Sequence, residues 1–520
     1  MTRRVGKRAL ADLAAGNAAR PARACAGIAV LVLVAAGCVY LPAFEDAVIT
    51  HAAAPDPQSR IGVRLGEAAN GAPRALLIDG AHLALTSRLD MIDAADTSID
   101  AQYFIWQNDP TGILVIEKLL AAADRGVRVR GLLDDVQLEG LVDRLSALNE
   151  HPNIEIRIFN PFSVRMRFGL GLFRLAEAAI DGNRLNHRMH NKLLVADNQL
   201  AMLGGRNIGD DYFGRGELRN FIDTDILLSG SVVPELSEGF DTYWNSEWTY
   251  PVEALINWSL LSVNLDTVRG RIQARLAEQP ELQSLRAPAS LEAIDRLLVG
   301  PRLTWSTTVV DDPNVAWFDR PDEMAAELTE IALTAQREVL IVTPYLIPTQ
   351  NLLDIGATLI ERGVKITVLT NSLETNDVVI AQASYGRFRK GLIESGIELY
   401  ELRGDPEFAR ADNAKEIALH SKYIIFDDDV VFVGSLNLDP RSLYLNTELG
   451  VVLESPELAD QLRNSFRDWI RPENAWQVTS TPDGLQWESS AGIVDRQPAK
   501  NRWQRLRYFL LSLLPLSSQL

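Results

Sequence analysis

Apolar residues recur along this chain in two alternating patterns from about residue 62 onward. The run "SIDAQYFIW" (98–106) reads as a strand, and "GILVIEKLLAAADRG" (112–126) reads as a helix that stops at a glycine. "VRVRGLLDD" (127–135) is the next strand. The second half repeats the plan: "EVLIVTPYLI" (338–347) is a strand, "NLLDIGATLIERG" (351–363) a helix ending in Arg-Gly, and "VKITVLTNS" (364–372) a strand. Such alternation predicts α/β structure. Arg125-Gly126-Val127 and Arg362-Gly363-Val364 stand 237 positions apart, which predicts duplicated domains, not a solenoid. The spacing places a first domain at 60–250 and a second at 301–490. The helical pattern of 254–285 supplies a linker within 251–300.

Both ends of the chain depart from this pattern. Arg3, Arg4, Lys7, Arg8, Arg20 and Arg23 precede the apolar run "CAGIAVLVLVAAGCVY" (25–40), the arrangement of an export signal. Cys38 follows "VAAG" and resembles the lipidated cysteine of a lipobox, although Ala35 stands where a leucine is usual. Residues 1–45 are therefore expected to be a signal, lipoprotein or membrane-anchor segment that ties the body to a membrane of the cell envelope. At the other end, 498–520 sets Lys500, Arg502, Arg505 and Arg507 beside aromatic residues and leucines, which suits a membrane-associating tail. The segment 161–180 mixes Arg165, Arg167 and Arg174 with Phe162, Phe168 and Phe173, which fits an interfacial loop or a packed helix equally well.

Composition narrows the chemistry. A length of 520 residues favours more than one core. The net charge of −18 argues against broad binding to nucleic acid, because phosphate neutralisation needs basic surface. Cys25 and Cys38 are the only cysteines, so the body has no disulfide framework, no thiolate metal site and no catalytic thiol.

The candidate chemistry lies in "MHNKLLVADNQLAMLGGRN" (189–207) and its second copy "LHSKYIIFDDDVVFVGSLN" (419–437). His190, Lys192, Asp197, Gly204 and Asn207 recur as His420, Lys422, Asp427, Gly434 and Asn437, at a constant offset of 230. One such set is a weak signal, whereas two in equivalent places of a repeat are a strong one. On a regular strand each histidine shares a face with its lysine, and each aspartate falls on the opposite face at a turn. Asp197 and Asp427 belong to the candidate catalytic motif, but this geometry gives them turn and framework roles. Gly205 and Ser435 follow the repeated glycines, where backbone can approach a bulky anion, and the asparagine amides can donate to an oxygen there. Two imidazoles, two ammonium groups and two carboxamides suit a tetrahedral phosphate. A zinc site needs three or four His, Cys or carboxylate ligands, and a lysine beside each histidine repels a cation, so no metal is expected. His187 reads as a solvated loop residue, and His51, His82 and His151 as surface or structural.

The paired His-x-Lys-(four)-Asp motifs resemble those of the phospholipase D superfamily, and the resemblance runs from about residue 75 to 485. Within it, "AQYFIWQNDPTG", "AADRGVRVRGLLDD", "FNPFS" and "GGRNIGDDYFG" are similar to the bacterial cardiolipin synthases, most closely the C group. The resemblance implies two duplicated α/β domains, each a mixed sheet flanked by helices, sharing one active site at their interface. It implies a double displacement without cofactor or metal: His190 forms a phosphohistidine, and His420 serves as acid and base. Lys192, Lys422, Asn207 and Asn437 would hold the phosphoryl oxygens. An acidic residue on the following strand would orient each histidine; Glu448 is one, and Asp225 is preferred to Asp223 as the other. The implied partners are phosphatidylglycerol, phosphatidylethanolamine and cardiolipin, with no nucleic acid. Hydrolytic phospholipase D action is the alternative, and a nuclease or phosphodiesterase is a more distant one.

Overall fold

The strand-forming runs build two sheets with one connectivity. The computed structural model describes residues 48–67, 73–138, 141–162, 182–255, 263–287, 291–314, 323–409 and 415–513. The expected N-terminal segment with Cys38 and nearly all of 161–180 lie outside these residues.

In the first half, β1 (Arg74–Ile78), β2 (Ser98–Tyr103), β3 (Arg128–Asp134) and β4 (Ile154–Phe159) are followed by a two-residue strand, β5 (Arg188–Met189). Next come β6 (Lys192–Ala196), β7 (Leu200–Gly204), β8 (Arg219–Ile222), β9 (Asp225–Ser229) and β10 (Thr249–Pro251). The second half supplies β11 (Trp305–Val310), β12 (Glu338–Val342), β13 (Lys365–Asn371), β14 (Glu398–Leu402) and β15 (Glu416–Leu419). It continues with β16 (Tyr423–Phe426), β17 (Val430–Gly434), β18 (Asn446–Thr447), β19 (Leu449–Glu454) and β20 (Ala475–Thr481). The first sheet has the order β1-β9-β7-β6-β2-β3-β4-β10, and the second repeats it as β11-β19-β17-β16-β12-β13-β14-β20. The second sheet is extended at its edge by β21 (Gly484–Ser489) and β22 (Gly492–Val494). In both sheets the centre is parallel and the flanking pairs are antiparallel. The strands left over from each half pair across the molecule: β5 with β18 and β8 with β15, both parallel.

Local signals set the helices. The first half carries α1 (Ala81–Ala94), α2 (Pro110–Asp124), α3 (Val232–Trp244), α4 (Leu265–Ala277) and α5 (Glu292–Leu298). The second carries α6 (Glu323–Thr334), α7 (Gln350–Glu361), α8 (Val379–Tyr385), α9 (Pro456–Trp469) and α10 (Arg502–Ser512). Asp109 caps α2 by accepting from Gly112 N, with Pro110 in the first turn. Thr349 caps α7 through Leu352 N. The repeated Arg-Gly ends both helices, with Gly126 at φ 100° and Gly363 at φ 84°, conformations that disfavour a Cβ.

Three apolar layers result. One lies on the outer face of the first sheet under α1 and α2, and another on the outer face of the second. The central layer joins both sheets: Leu193, Val195, Leu203 and Ile226 pack in one cluster with Ile425, Val433, Val451 and Leu453, together with side chains of α3 and α9. This shared core fixes the halves against each other and so fixes the site between them. The segment expected to be a linker is instead part of the first half. Ile272, Leu276, Ile294 and Leu297 of α4 and α5 are buried in its outer core, and Arg269 pairs with Asp124 at 2.7 Å. A helical pattern between two repeats does not reveal which body its apolar face covers. Among the described residues no helix is long and apolar enough to cross a membrane.

Candidate active site

Each histidine stands where the chain passes from a strand shared between halves to a strand of its own sheet. β5 ends at Met189, His190 and Asn191 form a break, and β6 begins at Lys192; likewise β15 ends at Leu419 and β16 begins at Tyr423. His190 N donates to Thr447 O at 2.9 Å, and His420 N donates to Ile222 O at 2.8 Å. The acceptors immediately precede Glu448 and Asp223. Glu448 then receives His190 Nδ1 at 2.8 Å and 3.0 Å, while Asp223 lies 2.6 Å from His420 Nδ1. Each imidazole is thus gripped by the other half of the chain. Aromatic edges complete the walls: Phe104 lies 4.9 Å from the His190 ring, and Phe221 and Tyr212 lie 5.0 Å and 5.4 Å from that of His420.

Each lysine reaches back to the histidine of its own motif. Lys192 Nζ donates to His190 O, and Lys422 Nζ donates to His420 O while lying 3.0 Å from His420 Nδ1. Burial pushes the Lys192 ammonium well below its usual range, and it brings Lys422 down to about 8. Burial also pulls His190 well below its ordinary value, assisted by the charges of Lys192, Lys422 and His420. His420 is lowered by burial and then by Lys422, with Asp223 opposing. Because each histidine feels the other half's lysine, the two motifs form one electrostatic site. The two carboxylates differ. Burial raises Glu448 to about 7 against the pull of Lys192. Asp223 is equally buried, yet His420 and Lys422 outweigh that burial and hold it below the usual carboxylate range.

Family comparison agrees with this architecture. The family model described as "Cardiolipin synthase, PLD-like domain" matches residues 89–244 and 328–470, one copy in each half. The chain belongs to this phospholipase D-like cardiolipin synthase family. Cardiolipin synthase C of Escherichia coli (strain K12) is 36% identical over 451 residues, covering 83% of this chain and 93% of the relative. Cardiolipin synthase 1 of Staphylococcus epidermidis is 24% identical over 393 residues, covering 75% and 66%. The crystal structure of phosphatidylserine synthase from Haemophilus influenzae superposes with a TM-score of 0.56 at 14% identity, covering 88% of this chain and 99% of that one. It shares the fold.

Within this cardiolipin synthase framework several expected residues take other places. Asp225 is not the partner of His420. It is fully buried between Arg88 at 2.9 Å and Arg206 at 3.2 Å, a structural ion cluster. Strand register explains the exchange: Gly204 pairs with Asp225 and Gly434 with Gly450, so the counterpart of Glu448 is Asp223. The signal was present in the sequence, but Asp223 follows Asn207 by 16 residues and Glu448 follows Asn437 by 11, which hid the match. Asp197 and Asp427 stand in the motif without touching the histidines. Asp197 accepts from the backbone of Asp96, Thr97 and Ser98, and Asp427 from that of Gln336, Arg337 and Glu338. Both occupy left-handed turn conformations, at φ 53° and 50°.

Asn207 accepts from Ile105 N at 3.1 Å and donates to Tyr212 Oη at 2.9 Å; Asn437 donates to Ser442 Oγ at 3.3 Å. Each carboxamide therefore has one N–H engaged in framework and a second for another acceptor. Ser435 Oγ donates to Glu448 and so braces it. Gly205 makes room for Asp223, since a Cβ there would lie 2.0 Å from Asp223 Oδ1. His187 is buried, not solvated, and its Nδ1 meets Leu445 O across the halves at 2.8 Å. Asp311 was not singled out in the sequence; its Oδ2 accepts from Glu448 N at 2.8 Å.

Proposed function

We propose that the protein is a cardiolipin synthase-type phosphatidyltransferase that passes a phosphatidyl group through a histidine to phosphatidylglycerol, with phosphatidylglycerol or phosphatidylethanolamine as donor. The observation that carries this reading is the reciprocal grip of each histidine by a carboxylate of the other half. With Nδ1 engaged, Nε2 is the reacting nitrogen. His190 is buried and disfavours charge, which keeps its Nε2 lone pair available to attack phosphorus. A P–N bond forms as the P–O bond to the headgroup alcohol breaks. Burial and Lys422 lower His420, and the ionised Asp223 opposes them, so Asp223 is what steadies the imidazolium that protonates the departing alkoxide at Nε2. In the second step His420 takes the proton of the incoming phosphatidylglycerol hydroxyl, and its oxygen displaces His190 from phosphorus. Lys192, Lys422 and the second amide hydrogens of Asn207 and Asn437 neutralise the phosphoryl oxygens.

Residues 1–45 tether the protein to the envelope membrane in this reading, with Cys38 as the lipidation candidate. The acceptor decides between transfer and hydrolysis. Purified protein in mixed micelles with phosphatidylglycerol, with and without phosphatidylethanolamine, is expected to yield cardiolipin by lipid mass spectrometry. Phosphatidic acid as the sole phospholipid product would instead identify a hydrolase. His190→Ala and His420→Ala are each expected to abolish turnover, and a normal rate in either would refute the shared-site mechanism.

A further inference from the structure

The C-terminal helix α10 carries its apolar side outward. At 100° per residue, Gln504, Tyr508, Leu511 and Ser512 share the half-buried face that meets α8. Gln504 Nε2 donates to Leu373 O at 2.7 Å, and Arg387 reaches Ser512 O at 2.7 Å. Tyr508 covers Gly386, where an added Cβ would lie 2.1 Å from the Tyr508 hydroxyl. The opposite face holds Trp503, Leu506, Phe509, Leu510 and Leu513, each between 45% and 78% exposed. Arg505 and Arg507 flank that face, and Arg502 stands at its start. A helix that only completes a core would bury leucines and expose glutamine and serine. Here Leu506, Leu510 and Leu513 face outward while Gln504 and Ser512 are half-buried, with Leu511 the one leucine on the inner face.

Its attachment leads to the candidate active site. Lys500 pairs with Glu416 at 2.6 Å, and Glu416 pairs with Arg219 at 3.3 Å. Glu416 and Arg219 begin β15 and β8, the paired strands that end immediately before His420 and Asp223. Four residues of strand, about 13 Å, separate the anchor from the reacting pair.

We propose that residues 500–513 are an interfacial docking helix, which seats its outward apolar face in an anionic phospholipid leaflet and holds that leaflet in register with the His420–Asp223 pair. The inference rests on the phosphatidyltransferase reading for its substrate, but the docking itself does not. Charge favours lipid as the occupant. The segment 500–513 has four basic residues and no acidic one, in a chain of net charge −18. A second copy placed face to face would bring its own arginines against these. The face, roughly 16 Å long and about 10 Å wide, offers on the order of 160 Å², far below the ~800 Å² per partner of a stable dimer.

The test uses the full chain with phosphatidylglycerol vesicles, phosphatidylcholine vesicles and no lipid. Hydroxyl-radical footprinting reads the side chains directly, so the N-terminal tether does not confound it. Modification of Trp503 and Phe509 is expected to fall at least fivefold on phosphatidylglycerol vesicles and less on phosphatidylcholine. Unchanged modification on vesicles that carry the protein would overturn the proposal, as would protection without lipid that grows with protein concentration, the mark of a second copy. Leu506→Asp/Leu510→Asp is expected to lose at least tenfold in cardiolipin formation on bilayers, while its rate on monomeric short-chain phosphatidylglycerol stays within twofold. Full activity on bilayers would refute the coupling. Failure of the wild type to make cardiolipin from either substrate would refute the functional reading alone, since the footprint would still report docking.

Discussion

Replacement of Asp223 by Asn isolates the contribution of one charge across the interface. Asp223 is fully buried and its Oδ2 lies 2.6 Å from His420 Nδ1. The substitution keeps the shape and an oxygen that accepts a hydrogen bond, but it removes the negative charge that balances an imidazolium. Two unit charges about 4 Å apart at an effective dielectric near 20 interact by ~4 kcal/mol. The neutral hydrogen bond that remains returns about 1 kcal/mol. The net loss of ~3 kcal/mol corresponds to roughly a 150-fold fall in rate. Turnover of phosphatidylglycerol, followed by lipid mass spectrometry, is the assay, with thermal unfolding measured in parallel. Asp225→Asn is the matched control. It uncouples a carboxylate from Arg88 and Arg206, so the expected result is a loss of about 3–5 kcal/mol of stability. An Asp223→Asn rate within threefold of wild type, beside a well-folded Asp225→Asn that loses turnover, would refute the role of the Asp223 charge.

Asp197→Ala is expected to cost about 3 kcal/mol of stability, because the backbone N–H groups of Thr97 and Ser98 lose a fully buried acceptor, with turnover per folded molecule unchanged; denaturant unfolding checks it, and a kinetic defect at full stability would contradict it. Burial brings Lys422 down to about 8, so the rate is expected to fall as pH rises through that value and the ammonium loses its proton. Lys422→Arg keeps the charge and is expected to move the alkaline fall upward in a pH–rate profile; an unmoved limb would exclude Lys422 as its source. Incubation with EDTA is expected to leave turnover intact, and a loss restored by a divalent cation would contradict a metal-free mechanism.

The repeated α/β plan was legible because local devices write it: Asp109 and Thr349 start α2 and α7, and the two Arg-Gly pairs stop them. The histidines and lysines were legible because duplication preserved their spacing. Their orienting acids were harder to read. Glu448 lies 258 residues from His190 and Asp223 lies 197 from His420, and they meet through the pairing of β5 with β18 and β8 with β15 over the shared core. Asp225 opens the following strand, β9, where an orienting acid is expected, yet its facing neighbours are arginines, which the linear sequence does not show. His187 is hard to read for a similar reason: the carbonyl it meets, that of Leu445, belongs to the other half. The composition of α10 pointed to an interface, but only the packed structure shows that its apolar side faces away from the body.

The central claim is a double displacement at phosphorus, run by two histidines in one site built from both halves. Transfer from phosphatidylglycerol carrying a chiral phosphorothioate tests it without requiring the intermediate to accumulate. Two successive in-line displacements predict retention of configuration in the cardiolipin formed. Inversion would mean that the acceptor attacks the donor lipid directly, and would contradict a covalent role for His190.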